Sequence, residues 1–129
     1  MDEVIDILTS KGEFTGSTCL KSEAHLKGLY HQTVHIWFYT ENKRVLLQKR
    51  ASVKKVFPNK WDVSVAGHIG AGEKIISTAI RETKEEIGID IEENELTKIG
   101  IRKDEIVHSN GILDNEFKHI FLCKLNRNL

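Results

Sequence analysis

Between Gly67 and Ile89 the chain reads GHIGAGEKIISTAIRETKEEIGI. The preceding run, DVSVAGHI, reads as a strand that ends among glycines, and a helix is predicted from about Glu73 to Glu86. Ile76, Ile80 and Ile87, with Thr83 between them, recur at the three- and four-residue steps of one helix face. Gly88 stands where a glycine commonly ends such a helix. Glu82 lies three residues before Glu85 and four before Glu86, so the three carboxylates are predicted to share one face, opposite the isoleucines. Like charges at that spacing repel. A face built only for solubility would mix lysines into those positions. Clustered carboxylates become favourable around a hard divalent cation such as Mg2+, which takes oxygen ligands and bridges protein carboxylates to substrate phosphates. Arg81, four residues before Glu85, can hold one carboxylate in position.

The rest of the chain supplies strands. VIDIL alternates up to the turn signal SKG, and GEFTGSTCL reads as a return strand or loop. KSEAHLKGLYH carries short helical stretches broken at Gly28. TVHIWFYT is rich in β-branched and aromatic residues and reads as a strand with Trp37 in the core, and RVLLQKR is predicted to pair back on it. LTKIGIRKDEIVHS and ILDNEFKHIFLCKL flank Asn110-Gly111, a strong hairpin signal. Strands, one central helix and further strands make an α+β chain with a mixed sheet. Its 129 residues suit one domain, residues 1–129, and the stop soon after the last strand reads as a domain lacking its closing C-terminal helix.

Lys plus Arg and Asp plus Glu both number 19, so no net field attracts nucleic acid or an acidic membrane. Charge is segregated locally: QKRASVKKVFPNK is basic, and RETKEEIGIDIEENE is acidic. Arg50, Lys54, Lys55 and Lys60 of the basic stretch suit a clamp on a diphosphate, although a charged loop also serves simply as a solvated surface. Cys19 and Cys123 lack metal-type spacing and read as two reduced thiols. The acidic start, MDEVIDILTS, has no apolar signal region, and no run approaches a membrane span. A cytoplasmic protein is the expectation, with a small-molecule diphosphate as partner and a homodimer left open.

The glycine–helix stretch resembles the Nudix box, the signature of the Nudix hydrolase superfamily. Gly67, Glu73, Arg81, Glu82, Glu85, Glu86 and Gly88 all fall at its fixed positions; Thr83 replaces one apolar residue. The resemblance implies an αβα sandwich with a central mixed sheet, a loop–helix–loop over residues 67–89, and hydrolysis of a nucleoside diphosphate linked to another group. It implies Mg2+, or Mn2+ in its place, held by Glu82, Glu85 and Glu86. Glu73 and the backbone carbonyl of the Gly67 region would support the ion, and Arg81 would orient a glutamate. Glu82, Glu85, Arg81 and the distal Glu116 are the candidate catalytic residues.

A second resemblance runs from about His25 to Glu116, through the basic RASVKK segment, the PNKW turn and SVAGH. It is similar to type I isopentenyl diphosphate isomerase, which shares the Nudix fold. His31, His68 and Glu116, with His25 and Asp114, match positions which that family uses for a second metal, and His31 and His68 are also candidate substrate contacts. His35, His108 and His119 have no counterpart and read as surface or structural residues. The isomerase family carries a cysteine immediately before Gly-His; here the residue is Ala66, which cannot do acid–base or thiolate chemistry. The intact box and Ala66 favour hydrolysis over isomerisation. A metabolite-binding sensor without turnover is the third alternative.

Overall fold

The computed structural model describes residues 2–42, 44–49 and 61–125. The basic segment of Arg50, Lys54, Lys55 and Lys60 lies outside them. β1 (Val4–Leu8) and β2 (Phe14–Leu20) form an antiparallel hairpin. α1 (Lys21–Lys27) follows and stops at Gly28, whose φ of 71° is left-handed. β3 (His31–Tyr39) is central to a four-stranded sheet: it pairs antiparallel with β6 (Val65–His68) and parallel with β8 (Leu113–Lys124). β7 (Leu96–Val107) closes the far edge against β8, giving the order β6-β3-β8-β7 and the mixed sheet expected. β4 (Gln48–Lys49) and β5 (Trp61–Asp62) pair with each other. No helix among the described residues is long and apolar enough to cross a membrane.

The hairpin predicted between TVHIWFYT and RVLLQKR survives only at its tip. Tyr39 bridges Val45, and the Leu46 amide donates to the Phe38 carbonyl. β8 occupies one edge of β3 along its whole length, and β6 occupies the other from Thr33 to Ile36. The returning segment therefore finds free backbone only beyond Ile36, and Gln48–Lys49 pairs with Trp61–Asp62 instead.

Side chains alternate across a strand, so the register assigns each residue to a face. Val34, Ile36, Phe38, Val65, Phe121 and Cys123 point one way and form the buried core with Ala79 of α2 (Ile75–Ile87). Ile75, Ile76, Ile80 and Ile87 of α2 pack against that cluster. His31, Thr33, His35, Ala66, His68 and Glu116 point the other way, where the α1 residue His25 meets them. Trp37 belongs to this second face and is 36% exposed, not in the core as the sequence suggested, because α2 covers only the first face.

Candidate active site

α2 begins at Ile75, two residues later than predicted, and ends on Gly88 with φ 69°. Glu73 therefore stays in the loop. There its Oε1 accepts from the Gly70 amide (3.1 Å), and both its oxygens take the Arg81 guanidinium, at 2.8 Å from Nε and 2.9 Å from Nη2. Arg81 Nη1 also donates to Glu82 (3.1 Å) and to both oxygens of Glu85 (3.1 and 3.2 Å). One planar cation thus holds three carboxylates, a geometry its forked donors permit. The hydrogen bonds from Arg81 pull the Glu73 pKa down to about 2.

Glu82 departs from the predicted arrangement. It lies among the buried residues Thr78, Ala79 and Thr83, not opposite the apolar stripe. The cause is helical geometry: residues three and four apart share a face, so Ala79, Glu82, Thr83 and Glu86 cannot all avoid the sheet. Gly67 makes room for it. A Cβ built at Gly67 would sit 2.3 Å from the Glu82 carboxyl carbon, so any larger residue there would evict the carboxylate. Burial, opposed by Arg81 and reinforced by Glu86 and Glu85, raises the Glu82 pKa to about 7. Its charge lacks full compensation, which is what a divalent cation would supply. Glu86 accepts from the Ala66 amide at 3.0 Å, beside β6. Glu85 is exposed and tied to Arg81. Thr83, the departure from the box pattern, is buried and donates its hydroxyl to the Ala79 carbonyl at 2.7 Å.

On the opposite face three imidazoles pack together, His25, His31 and His68, with ring centroids 5.2 to 5.7 Å apart. Two carboxylates join them. His31 Nε2 lies 3.6 Å from Glu116 Oε2 and 3.8 Å from Asp114 Oδ1, and His25 Nε2 lies 3.9 Å from the same Asp114 oxygen. Among the described residues, the groups whose ligating atoms converge within 4.8 Å are His25–His31–His68 and His31–Asp114–Glu116; the helix glutamates, spread by Arg81, form no such group. His31 Nδ1 sits 3.1 Å from the Leu29 carbonyl, which assigns the proton to Nδ1 and turns the Nε2 lone pair inward.

The Nε2 atoms of His25, His31 and His68, and Asp114 Oδ1, are buried without a hydrogen-bond partner. Each such atom costs on the order of 1–3 kcal/mol. Ligands at about 2.1 Å around one ion lie about 3 to 4 Å apart, so these separations fit a shared cation, and the mixture of imidazole and carboxylate suits a first-row transition metal. Burial disfavours charge on His31, yet Glu116 and Asp114 outweigh it and raise its pKa. Burial drives the His68 pKa well below the usual value. For Glu116 burial raises the pKa.

The sequence candidates thus divide. Gly67, Glu73, Arg81, Glu82, Glu85 and Glu86 gather at α2, whereas His31, His68 and Glu116 gather across the sheet. Sequence reading missed His35, whose Nε2 is 4.0 Å from Glu116, and His108, 3.6 Å from Asp114. The Asn110-Gly111 hairpin held the signal: its register sets Ile106 opposite Asp114 and leaves His108 just beyond. A cavity lined by Tyr39, Thr40, Glu41, Val45 and Lys124 lies at the other end of β3, and its Glu41 is paired with Lys124 at 2.9 Å.

A family model described as NUDIX domain matches residues 29–129. Nudix hydrolase 3 of Arabidopsis thaliana is 38% identical over 126 residues, which are 96% of this chain and 16% of that protein. An uncharacterized Nudix hydrolase of Clostridium acetobutylicum is 44% identical over 124 residues, 94% of this chain and 59% of that one. The chain therefore spans less than two thirds of either relative. An isopentenyl-diphosphate Delta-isomerase of Shigella boydii is 31% identical over 125 residues, 96% of this chain and 68% of the isomerase. Among solved structures, the Deinococcus radiodurans protein DR0079 superposes with a TM-score of 0.74 at 20% identity, over 98% of this chain and 74% of that one.

Proposed function

The chain belongs to the Nudix family, and on that premise we propose that it is a Mg2+-dependent pyrophosphohydrolase that cleaves a phosphoanhydride bond in a nucleoside diphosphate linked to another group. The observation that carries the reading is the Glu82 carboxylate, buried against Gly67 beside Arg81, with Glu86 at the edge of the same strand. Glu82, Glu85 and Glu86 would hold Mg2+, or Mn2+ in its place, with the Gly67 carbonyl nearby. Bound there, the ion would neutralise diphosphate charge and make water a better nucleophile.

The chain's own groups do the rest. Arg81 fixes Glu73, Glu82 and Glu85 before substrate arrives, so little reorganisation remains at the moment of reaction. Water's oxygen bonds to one phosphorus, the bridging P–O bond breaks, and the proton passes to Glu82; Glu116, the other candidate base, lies across the sheet beside His31 and is out of reach of that water. Arg50, Lys54 and Lys55 are assigned to the diphosphate by charge. A second divalent cation is assigned to His25, His31, His68, Asp114 and Glu116 on the opposite face, on the strength of the orphaned atoms of the first four and the convergence of Glu116 on His31 and Asp114. These buried histidines then serve the ion before they serve substrate.

A second reading, isoprenoid diphosphate isomerisation, draws on the same cluster and on the isomerase relatives. Ala66 weighs against it: it faces the same side as Glu116 and carries no titratable group. Both readings are tested together by incubating the protein and Glu86→Gln with a panel of nucleoside diphosphate derivatives and with isopentenyl diphosphate. Phosphate or nucleotide release that depends on Glu86 is the expected result. Equal release by both proteins on every substrate, or formation of the allylic isomer, would overturn hydrolysis.

A further inference from the structure

His108 is a buried side chain of the histidine face that stands outside the ligand set. It opens the loop between β7 and β8, and the turn pins its backbone at both ends. Its amide donates to the Ile112 carbonyl at 2.9 Å, and its carbonyl accepts from the Gly111 amide at 3.0 Å. That closure needs Gly111 at φ 86°, a conformation glycine adopts freely. The Asn110 side chain accepts from the Ile112 amide at 3.2 Å and tightens the same turn. The His108 side chain is thereby aimed inward, only 7% exposed, with Nε2 3.6 Å from Asp114 Oδ2. The other oxygen of that carboxylate, Oδ1, faces the Nε2 atoms of His25 and His31. Asp114 thus divides its two oxygens, one toward the three-histidine cluster and one toward His108.

We propose that His108 is a positioning residue for a divalent-cation site at His25, His31, His68, Asp114 and Glu116, acting by fixing the orientation of the Asp114 carboxylate. The inference rests on the second-cation reading above. The terminal torsion of an aspartate is broad and roughly two-fold, so an unbraced Asp114 would spread its oxygens over several directions. A donor at Oδ2 selects the one that presents Oδ1 to the cluster. The present 3.6 Å is a little beyond an ordinary N–H···O bond, and a small rotation of either side chain closes it. Partners of this outer kind typically change metal affinity about 10- to 100-fold when removed. Asn110, Gly111 and Ile112 tie the hairpin itself together, so the loop's form and the aim of His108 are one feature.

The test uses the full chain stripped of metal, with Mn2+ as the probe and excess Mg2+ present to occupy the helix carboxylates, read by calorimetry. The wild type is expected to bind one Mn2+ that His31→Ala abolishes. His108→Ala should weaken that binding about 10- to 100-fold, and His108→Gln, which retains a donor, should recover most of it. Should alanine loosen the turn, His108→Phe keeps the bulk without the donor and should weaken binding equally. Thermal stability in chelator reports the turn separately and should change little for His108→Gln. Because His108 acts through Asp114, the double variant with Asp114→Ala should bind no worse than Asp114→Ala alone. Wild-type affinity in both His108→Ala and His108→Phe would overturn the positioning role and leave the cation site standing. So would a double variant weaker than Asp114→Ala. Absence of any His31-dependent Mn2+ binding in the wild type would overturn both.

Discussion

Gly67→Ala is a small change whose consequences the geometry fixes in detail. Gly67 lies in strand β6, outside the left-handed region, so alanine suits its backbone. In isolation the substitution would stabilise a strand by about 0.5–1 kcal/mol. The added methyl, however, would sit 2.3 Å from the Glu82 carboxyl carbon and 2.6 Å from its Oε1, where ordinary contact begins at 3.4 Å. Glu82 must retreat by 1.1 Å (3.4 − 2.3), out of a site where it is 8% exposed and bonded to Arg81. Overpacking of this kind costs about 1–3 kcal/mol, so the net destabilisation should be about 1–2 kcal/mol. A displacement of that size at a reacting centre is worth about 100-fold in rate, or about 2.7 kcal/mol of barrier.

The assay is a cycle of four proteins: wild type, Gly67→Ala, Glu82→Ala and the double variant. Denaturant unfolding gives their stabilities, and turnover is measured on the best substrate of the panel. With Glu82 cut back to alanine the clash disappears, and Gly67→Ala should then stabilise by about 0.5–1 kcal/mol. The coupling between the two sites is expected at about 1.5–3 kcal/mol. An effect of Gly67→Ala that is the same in both backgrounds, or turnover by Gly67→Ala within a few-fold of wild type, would refute the claim that the glycine exists to seat this carboxylate.

Two further perturbations probe protonation. His119 is 5% exposed, bonded to the Gln32 side-chain oxygen at 2.7 Å, and held neutral by burial with its pKa near 4 against 6.5 for the free group; its contribution is therefore complete above pH 6.5 and lost as pH falls toward 4, by up to about 3 kcal/mol. The stability difference between wild type and His119→Gln, measured in urea near pH 7 and near pH 4, should shift by that order, and a pH-independent difference would contradict it. For Glu73, depressed from 4.5 to about 2 by Arg81, the stabilisation is present above pH 4.5 and lost on going down to 2. Arg81→Lys removes the two-pronged contact, so an NMR titration of the Glu73 carboxyl should move upward; an unmoved midpoint would count against the guanidinium as its cause.

The sequence made the loop–helix legible because its spacing obeys one-dimensional rules: a glycine ends α2, and Arg81 reaches Glu85 four residues on. It did not reveal that Glu82 is buried, because that depends on which stripe of α2 meets the sheet, and Gly67 decides that from another element. The hairpin at Asn110-Gly111 was readable from its turn chemistry. The failed return of RVLLQKR was not, since it reflects competition with β6 for one edge of β3, a contest between segments some twenty residues apart. The histidine cluster assembles α1, β3, β6 and β8. No local periodicity links His25 to Asp114, and only the resemblance to the isomerases brought them together before the fold did.

What joins the two groups of candidate ligands is a single step along β6. Gly67 and His68 are neighbours in the chain, and strand alternation sends them to opposite faces. Gly67 lies under Glu82, and His68 packs on His25 and His31. A shift of β6 by one residue against β3 would exchange the faces: an imidazole would be driven into the Glu82 carboxylate, and the cluster would lose a ring. The register is held by Val65 in the core opposite Ile36 and by the Ile69 amide, which donates to the Gln32 carbonyl at 3.0 Å. The apolar residues flanking Ala66-Gly67-His68 therefore do more than fill space, because their burial free energy is what keeps each candidate ligand on its own side of the sheet.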